Sequence, residues 1–475
     1  MARRGRGSRR VAVIGGGISG LAAAWAAHEE LAARTGEADV VLLEGEPTVG
    51  GKARTRRLDE WTLETGPTGF LDAEPLMDEL AARAGLEKVR ASGAARRRFL
   101  VRRGVARQVR THPLAFALSR VLSPAGLLRL AAEPWVPPRR DDDDESVWDF
   151  AARRLGSEAA ERLVAPMVSG VSAGDARALS LPAAFPRMRE LEREHGSLLR
   201  AARALGRTGS ARGGPGGPAA PLCSFPGGME ALPAGLARRA PFRLRTGAPV
   251  ASIAAAGPGS WRLAIAGEAE PLRAEAVVLA ADAPSSAALL AGPLPAAALD
   301  LAAIPCPGVA VVGLGYGAEA ARRIPPGFGG LIGRGDGPRS LGYALDSHLF
   351  ADRGPRGGLL VRVLLGGATD PKAASLPPEA LAETAHADLA RLFALDAPPL
   401  LREVVRWPAA IPQYELGHRE RAARIEKALA STRSPAGGLF LAGNALDGIA
   451  FARAAVRGWN AGRDAARSLA PATPG

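Results

Sequence analysis

Residues 11–21 read Val11-Ala12-Val13-Ile14-Gly15-Gly16-Gly17-Ile18-Ser19-Gly20-Leu21, and the fold class follows from them. Val11–Ile14 is a short apolar run of the kind that forms a strand covered on both faces. Ser19–Leu31 has helical spacing and Asp39–Leu43 is a second strand, so the chain opens as a βαβ unit. Gly15, Gly17 and Gly20 form G-x-G-x-x-G at the strand-to-helix turn. The first glycine permits the tight turn, the second lets backbone approach a pyrophosphate, and the third packs helix against strand. The helix N-terminus then offers unpaired N–H groups and a positive dipole end to the phosphates. In a chain with 58 glycines this motif needs its context. Glu44 ends the second strand 24 residues beyond Gly20, where a carboxylate accepts hydrogen bonds from ribose hydroxyls and disfavours a 2′-phosphate. Gly50-Gly51-Lys52 adds a second glycine turn, with a cation suited to the far phosphate.

At 475 residues the chain is long enough for two or three domains. Its 47% hydrophobic and 23% charged residues exclude wholesale disorder, a coiled coil and a disulfide-stapled scaffold. The two cysteines, Cys223 and Cys306, suit a reducing compartment and exclude a cysteine-rich metal or iron–sulfur site. Six scattered histidines show no metal-ligand spacing, so no metal is expected. The net charge of +13 favours an acidic partner, yet it is almost all arginine, since Lys52, Lys88, Lys372 and Lys427 are the only lysines. No basic run is interleaved with stacking aromatics, so nucleic acid is not an expected partner. Met1–Arg10 is basic and runs directly into Val11–Ile14, so no export or import leader is expected. The longest uncharged stretches, Val11–Ala27 and Leu301–Ala318, are broken by glycine or proline, whereas a spanning helix needs about 20 mostly apolar residues.

Helical periodicity runs over Glu74–Ala84, Ser157–Ala165, Met188–Leu205 and Glu379–Phe393. Strand character marks Phe242–Ile253, Trp261–Ile265, Ala276–Leu279, Gly308–Leu314 and Leu359–Leu365. A final strand, Gly438–Leu441, precedes a glycine turn and a last helix, Ala452–Leu469. The charge run Arg139–Asp144 reads as a solvated connector and the Gly/Pro-rich Gly206–Pro221 as a loop. Pro113–Trp135 is apolar, divided at Pro124, and has two readings. It lies in a bilayer interface with Arg120 and Arg129 reaching anionic headgroups, or it is an internal helical pair capping a pocket.

These residues carry a family resemblance. VAVIGGGISGLAAAW followed by LLEGEPTVGGKART resembles the start of the FAD-dependent amine oxidase and protoporphyrinogen oxidase superfamily, with Thr48 standing where many relatives have arginine. LFLAGNALDGIAFARAAVRGWNAG is similar to the C-terminal half of that pattern. LETGPTGFL at 63–71, RRRFLV at 96–101, SGVSAGDARALSL at 169–181, FPRMRELEREHGSL at 185–198, FPGGMEALP at 225–233 and WPAAIPQYELGH at 407–418 resemble protoporphyrinogen oxidases of the oxygen-dependent type. The match covers nearly the whole chain.

The resemblance implies an α/β and α+β fold in three parts. A Rossmann-type FAD-binding domain is built from discontinuous segments (1–86, 221–292 and 411–475), a mixed-sheet substrate domain takes 87–107 and 293–410, and a helical, membrane-associating domain takes 108–220. It implies FAD as cofactor, held by Gly15, Gly17, Ile18, Ser19, Gly20, Glu44, Gly50, Gly51 and Lys52. Glu64, Gly66 and Pro67 match the segment near the isoalloxazine, and Val250 the strand whose backbone meets the adenine; Trp407 is a further cofactor contact. Gly443 and Asn444 precede a helix whose N-terminus stabilises negative charge at the N1/C2=O end of a reduced flavin, with Ile449, Ala450 and Phe451 beside the ring.

The implied reaction is oxidation of protoporphyrinogen IX to protoporphyrin IX in haem synthesis, with O₂ as acceptor and H₂O₂ as by-product. The flavin carries that chemistry, so no catalytic acid–base dyad is expected. A flat apolar tetrapyrrole with two propionates needs an apolar slot and a cation at one end. By resemblance Arg98 pairs with a propionate, Gly170 contacts the ring, Leu331 and Phe350 are walls, and Leu364 is a further one. The resemblance also implies a cytoplasmic protein peripheral on the cytoplasmic membrane face, and allows a homodimer. Three alternatives stay open: coproporphyrinogen III oxidation by the same apparatus, a non-redox binding protein on this fold, and amine oxidation. Amine oxidation asks for an aromatic cage, and the chain has only Tyr316, Tyr343 and Tyr414 as tyrosines.

Overall fold

The computed structural model describes residues 9–110, 112–207, 220–257 and 259–469. Apart from its ends, the Gly206–Pro221 loop read from the sequence lies outside the described residues. Five parallel strands form the first sheet in the order Arg243–Arg245, Asp39–Leu43, Arg10–Ile14, Ala276–Leu279, Gly438–Leu441. Val11 and Val13 face a cluster with the helices Ile18–Thr35 and Phe451–Leu469, while Ala12 and Ile14 face a second cluster with Ile253, Leu290 and Ile425. Both faces of the strand are thus covered, as its unalternating apolar sequence requires. The connections leave Arg10–Ile14 toward Asp39–Leu43 on one side and Ala276–Leu279 on the other, which makes the carboxyl edge beside Gly15 the topological switch point.

The last helix lies along Ile18–Thr35 because two of its residues have no side chain. A Cβ at Gly458 would stand 2.0 Å from Ser19 O, and one at Gly462 would stand 2.0 Å from Ala23 O. Their four-residue spacing puts both on one helix face. This contact brings the far C-terminus onto the first glycine motif.

A seven-stranded sheet follows the order Leu401–Trp407, Val309–Tyr316, Leu359–Gly366, Gly342–Ala344, Gly329–Ile332, Arg98–Arg102, Val105–Val109. Its pairs are antiparallel except Gly329–Ile332 with Arg98–Arg102. Along Val309–Tyr316, Ala310, Val312, Leu314 and Tyr316 pack with Leu381, Ala385 and Leu389 of the helix Pro378–Phe393. The opposite face is opened by Gly313 and Gly315, whose Cβ positions fall 2.7 Å from Leu63 and 2.9 Å from Trp61. The strand Trp61–Glu64 therefore seats against this sheet, fixing where the residues after it lie.

The regular elements within Pro113–Arg207 are all helices. The buried carboxylate of Glu133 holds this region together, accepting from Arg154, Ser197 Oγ and the Leu198 N–H. Within it Pro113–Trp135 forms two short helices, Pro113–Leu118 and Pro124–Ala131, and a turn at Glu133–Trp135. Leu114, Leu118, Leu128 and Trp135 are each more than 70% exposed. Among the described residues no helix is long and apolar enough to cross a membrane.

Several expectations are corrected here. Arg129 does not reach outward: its guanidinium donates to Arg153 O and Arg154 O, capping the helix Val147–Leu155. Phe242–Ile253 is two strands in different sheets, Arg243–Arg245 and Val250–Ala255, because Gly247 at φ 61° turns the chain between them. Met188–Leu205 is two helices, Pro186–His195 and Leu198–Arg207, parted by Gly196 at φ 67°. Ser157–Ala165 carries a π-helical stretch over Ala160–Val164, just before Pro166, which has no N–H to continue an α-helical ladder.

Candidate active site

The first sheet delivers Gly15, Glu44 and the Gly443 turn to one edge. Gly15 has φ 108°, and a Cβ there would meet Ala280 O at 2.8 Å, so only glycine makes this turn. Gly50 N–H donates to Gly16 O at 2.9 Å, which locks the second glycine turn against the first. Helix Ile18–Thr35 starts after Gly17 with no side-chain cap. The Glu44 carboxylate accepts from the N–H groups of Gly16 and Glu46, the latter at 2.8 Å. Two backbone bonds thus aim it along the strand edge, leaving lone pairs over. Its backbone is bound to Arg245 O at 2.8 Å, and its carbonyl accepts from Ala248 N–H at 2.9 Å, so Val250 leads away from the same corner.

The C-terminal turn is tied to the first motif directly, since Gly443 N–H donates to Ser19 Oγ at 2.7 Å. Tyr414 Oη donates to Asn444 O, and His418 Nε2 contacts Leu446 O. Ile449 is half-buried, Ala450 exposed, and Phe451 packs its ring 6.2 Å from that of Phe70.

Between the two sheets, the segment Glu64–Pro67 is gripped from the seven-stranded sheet. Trp407 Nε1 donates to Thr65 O at 2.5 Å, and Arg362 Nη1 donates to Gly66 O at 2.5 Å. Glu64 is fully buried and accepts from Met229 N–H and Thr55 Oγ1, with Arg353 at 3.2 Å. Burial outweighs these partners and pushes its carboxyl up to about 7. Asp346, fully buried beside Arg362 at 3.2 Å, is likewise raised by burial. The Lys52 ammonium, pulled down by burial, is turned to the carbonyls of Ala409 and Ala410 at 2.5 and 2.7 Å, away from the role of a free phosphate cation.

On the seven-stranded sheet, Arg98 pairs with Gly329 in register and Leu100 with Leu331, so the arginine and Leu331 share one patch of sheet. The half-buried Arg98 guanidinium lies 5.4 Å from the Phe328 ring centroid, and burial lowers its pKa. Leu331 packs on Gly170: a Cβ there would fall 2.3 Å from Leu331 Cδ2. Leu364 packs with Leu341, Trp407 and Ile411. Phe350 is placed differently, buried with its ring 5.2 Å from the Arg353 guanidinium beside Glu64. Sequence reasoning missed Arg353, Arg362, Asp346, Tyr414 and His418. The last two sit four apart inside WPAAIPQYELGH, a spacing that could have singled them out.

Residues 18–469 match the family model of the flavin-containing amine oxidoreductases. The chain belongs to that family. A coproporphyrinogen III oxidase of Propionibacterium freudenreichii subsp. freudenreichii is 32% identical to it over 476 residues, covering 92% of this chain and 87% of its own. A protoporphyrinogen oxidase of Bos taurus is 32% identical over 474 residues, covering 93% and 95%. Among solved structures, a protein of Exiguobacterium sp. 255-15, provisionally described as a protoporphyrinogen oxidase, shares the fold at TM-score 0.82 and 22% identity over 97% and 99% of the two chains.

As a family member the protein is a flavin-dependent oxidoreductase with FAD as its cofactor. The donor set fits that group. An uncapped helix N-terminus suits the pyrophosphate, a carboxylate with lone pairs to spare suits the ribose, and the nearest atom to a Cβ at Gly17 is 3.9 Å away, leaving room for close approach.

Proposed function

We propose that this protein oxidises protoporphyrinogen IX to protoporphyrin IX in haem synthesis, with O₂ reoxidising the flavin to yield H₂O₂. The observation that carries this is the likeness to a protoporphyrinogen oxidase at 32% identity across nearly the whole of both chains. Bound FAD supplies the two-electron acceptor. The chain's own residues bind, orient and exclude water. Gly15, Gly17, Ile18, Ser19, Gly20, Glu44, Gly50 and Gly51 hold the nucleotide half, with Val250 at the adenine. Gly66, Pro67, Trp407, Gly443, Asn444, Ile449, Ala450 and Phe451 hold the flavin half, and Lys52 contributes through the carbonyls it braces.

Arg98 fixes one propionate by a charge-assisted bond, and Leu331 against Gly170, with Leu364, makes the apolar wall. Phe350 acts on the far side by covering Arg353. The three groups of segments separated above, nucleotide-binding, substrate-binding and helical, form the working parts. The helical part rests on the cytoplasmic membrane face with Arg120 at the headgroups, a reading that the exposed side chains of Leu114, Leu118, Leu128 and Trp135 support.

A second reading, coproporphyrinogen III as substrate, is favoured by the equal identity to the Propionibacterium enzyme. That substrate carries four propionates, and the patch around Leu331 offers Arg98 as its cation. Steady-state oxidation of both porphyrinogens by one preparation decides between them: a higher kcat/KM for protoporphyrinogen supports the proposal, and the reverse order replaces it with the second reading. Amine oxidation lacks its cage, since Tyr316 and Tyr343 face the cluster behind the substrate-side sheet and Tyr414 is committed to Asn444.

A further inference from the structure

The turn Gly443–Leu446 is braced from behind by two buried side chains to which the flavin reading gives no role. Tyr414 Oη donates to Asn444 O at 2.7 Å, and His418 Nε2 stands 2.8 Å from Leu446 O. A carbonyl only accepts, so the imidazole carries its proton on Nε2. The two rings stack at 4.2 Å and 20°, and the residues are 2% and 1% exposed. In a trans peptide the carbonyl and the following N–H point opposite ways. Anchoring Asn444 O and Leu446 O on the Tyr414–His418 side therefore sets the N–H groups of Ala445 and Asp447 on the other side, while Gly443 N–H is held by Ser19 Oγ.

We infer that Tyr414 and His418 are a positioning pair that fixes the direction of these turn N–H groups and thereby tunes the stability of the reduced flavin. The inference rests on the reading that this turn faces the flavin.

The pair is also strapped to the substrate side. Ser180 N–H donates to Tyr414 O at 2.8 Å, Leu416 N–H to Ala178 O at 3.0 Å, and Gln413 Nε2 to Ser172 O at 2.9 Å, at the end of the helix that carries Gly170. One short segment, 413–418, thus joins the Gly170 helix to the Gly443 turn. Burial, helped by Arg421, lowers the His418 pKa against the opposing pull of the Leu446 carbonyl, Asp447 and Asp144.

The test compares two tyrosine variants. Tyr414→Phe keeps the stacked ring and deletes the donor. Tyr316→Phe deletes an equally buried phenol, bonded to His386 at 3.0 Å behind the other sheet, and serves as the control for a structural effect alone. Deflavinated Tyr414→Phe protein is expected to bind added FAD about ten-fold more weakly than wild type. Its bound flavin is expected to show a midpoint potential lower by about 30 mV, the two-electron equivalent of the reduced flavin losing ten-fold more affinity than the oxidised form. Tyr316→Phe should keep wild-type values of both while melting at a lower temperature. A wild-type potential and FAD affinity in Tyr414→Phe overturns the inference, as does the same shift in Tyr316→Phe. A wild-type protein that takes up no FAD overturns the reading beneath it as well.

Discussion

On the proposed reading, removal of the Arg98 side chain separates binding from electron transfer. Arg98→Ala should raise KM for protoporphyrinogen about ten-fold through the loss of one charge-assisted bond, with FAD content unchanged. Steady-state kinetics beside flavin absorbance checks this, and an unaltered KM removes Arg98 from the site. Glu64 gives a pH prediction with a definite sign. Its carboxyl has the ordinary value of 4.5 when unfolded and about 7 in place, so the folded protein binds more protons between those values. The stability this adds is complete below 4.5 and is lost as pH rises through about 7. Relative to Glu64→Gln, the wild type should lose on the order of 1–3 kcal/mol over that window, read from melting curves in a pH series; a constant difference contradicts the assignment. Gly15 and Glu44 were legible in the sequence because their roles are local, a positive φ and a strand end. Arg353, Arg362 and Asp346 were not, because their partners come from other elements of the fold, and one arginine looks like another in so arginine-rich a chain.

The helix pair Ile18–Thr35 and Phe451–Leu469 shows which of two element-level effects wins. Helix propensity alone would make Gly458→Ala stabilising by about 1 kcal/mol. The added Cβ, however, would stand 2.0 Å from Ser19 O, and forcing the helices apart costs about 1–3 kcal/mol or more. We expect a lower melting temperature and weaker FAD retention, because Ser19 also anchors Gly443. A more stable Gly458→Ala protein would contradict that packing. Elements with a clear period, such as Asp39–Leu43 and Pro378–Phe393, were readable from the sequence. Breaks inside periodic stretches were not: Gly196 and Gly247 interrupt runs whose hydrophobic pattern continues across them, and only the backbone sign of φ reveals the turn.

At the scale of the molecule, the parallel sheet was implied by the opening βαβ unit, while the assembly of its strands from segments more than 400 residues apart came from the resemblance. The exposed apolar side chains of the helical region yield a surface prediction. Leu118→Glu with Leu128→Glu should abolish co-sedimentation with anionic phospholipid vesicles and leave turnover in detergent intact. Vesicle binding equal to wild type would instead favour the pocket-capping reading of Pro113–Trp135.

The central claim, that FAD on this fold accepts electrons from a reduced tetrapyrrole, is tested most directly by mixing the purified holoprotein anaerobically with protoporphyrinogen IX while recording flavin absorbance. The account predicts bleaching of the oxidised flavin band with appearance of porphyrin absorbance, and recovery of the flavin on admitting O₂. A flavin that stays oxidised with this porphyrinogen and with coproporphyrinogen III contradicts it.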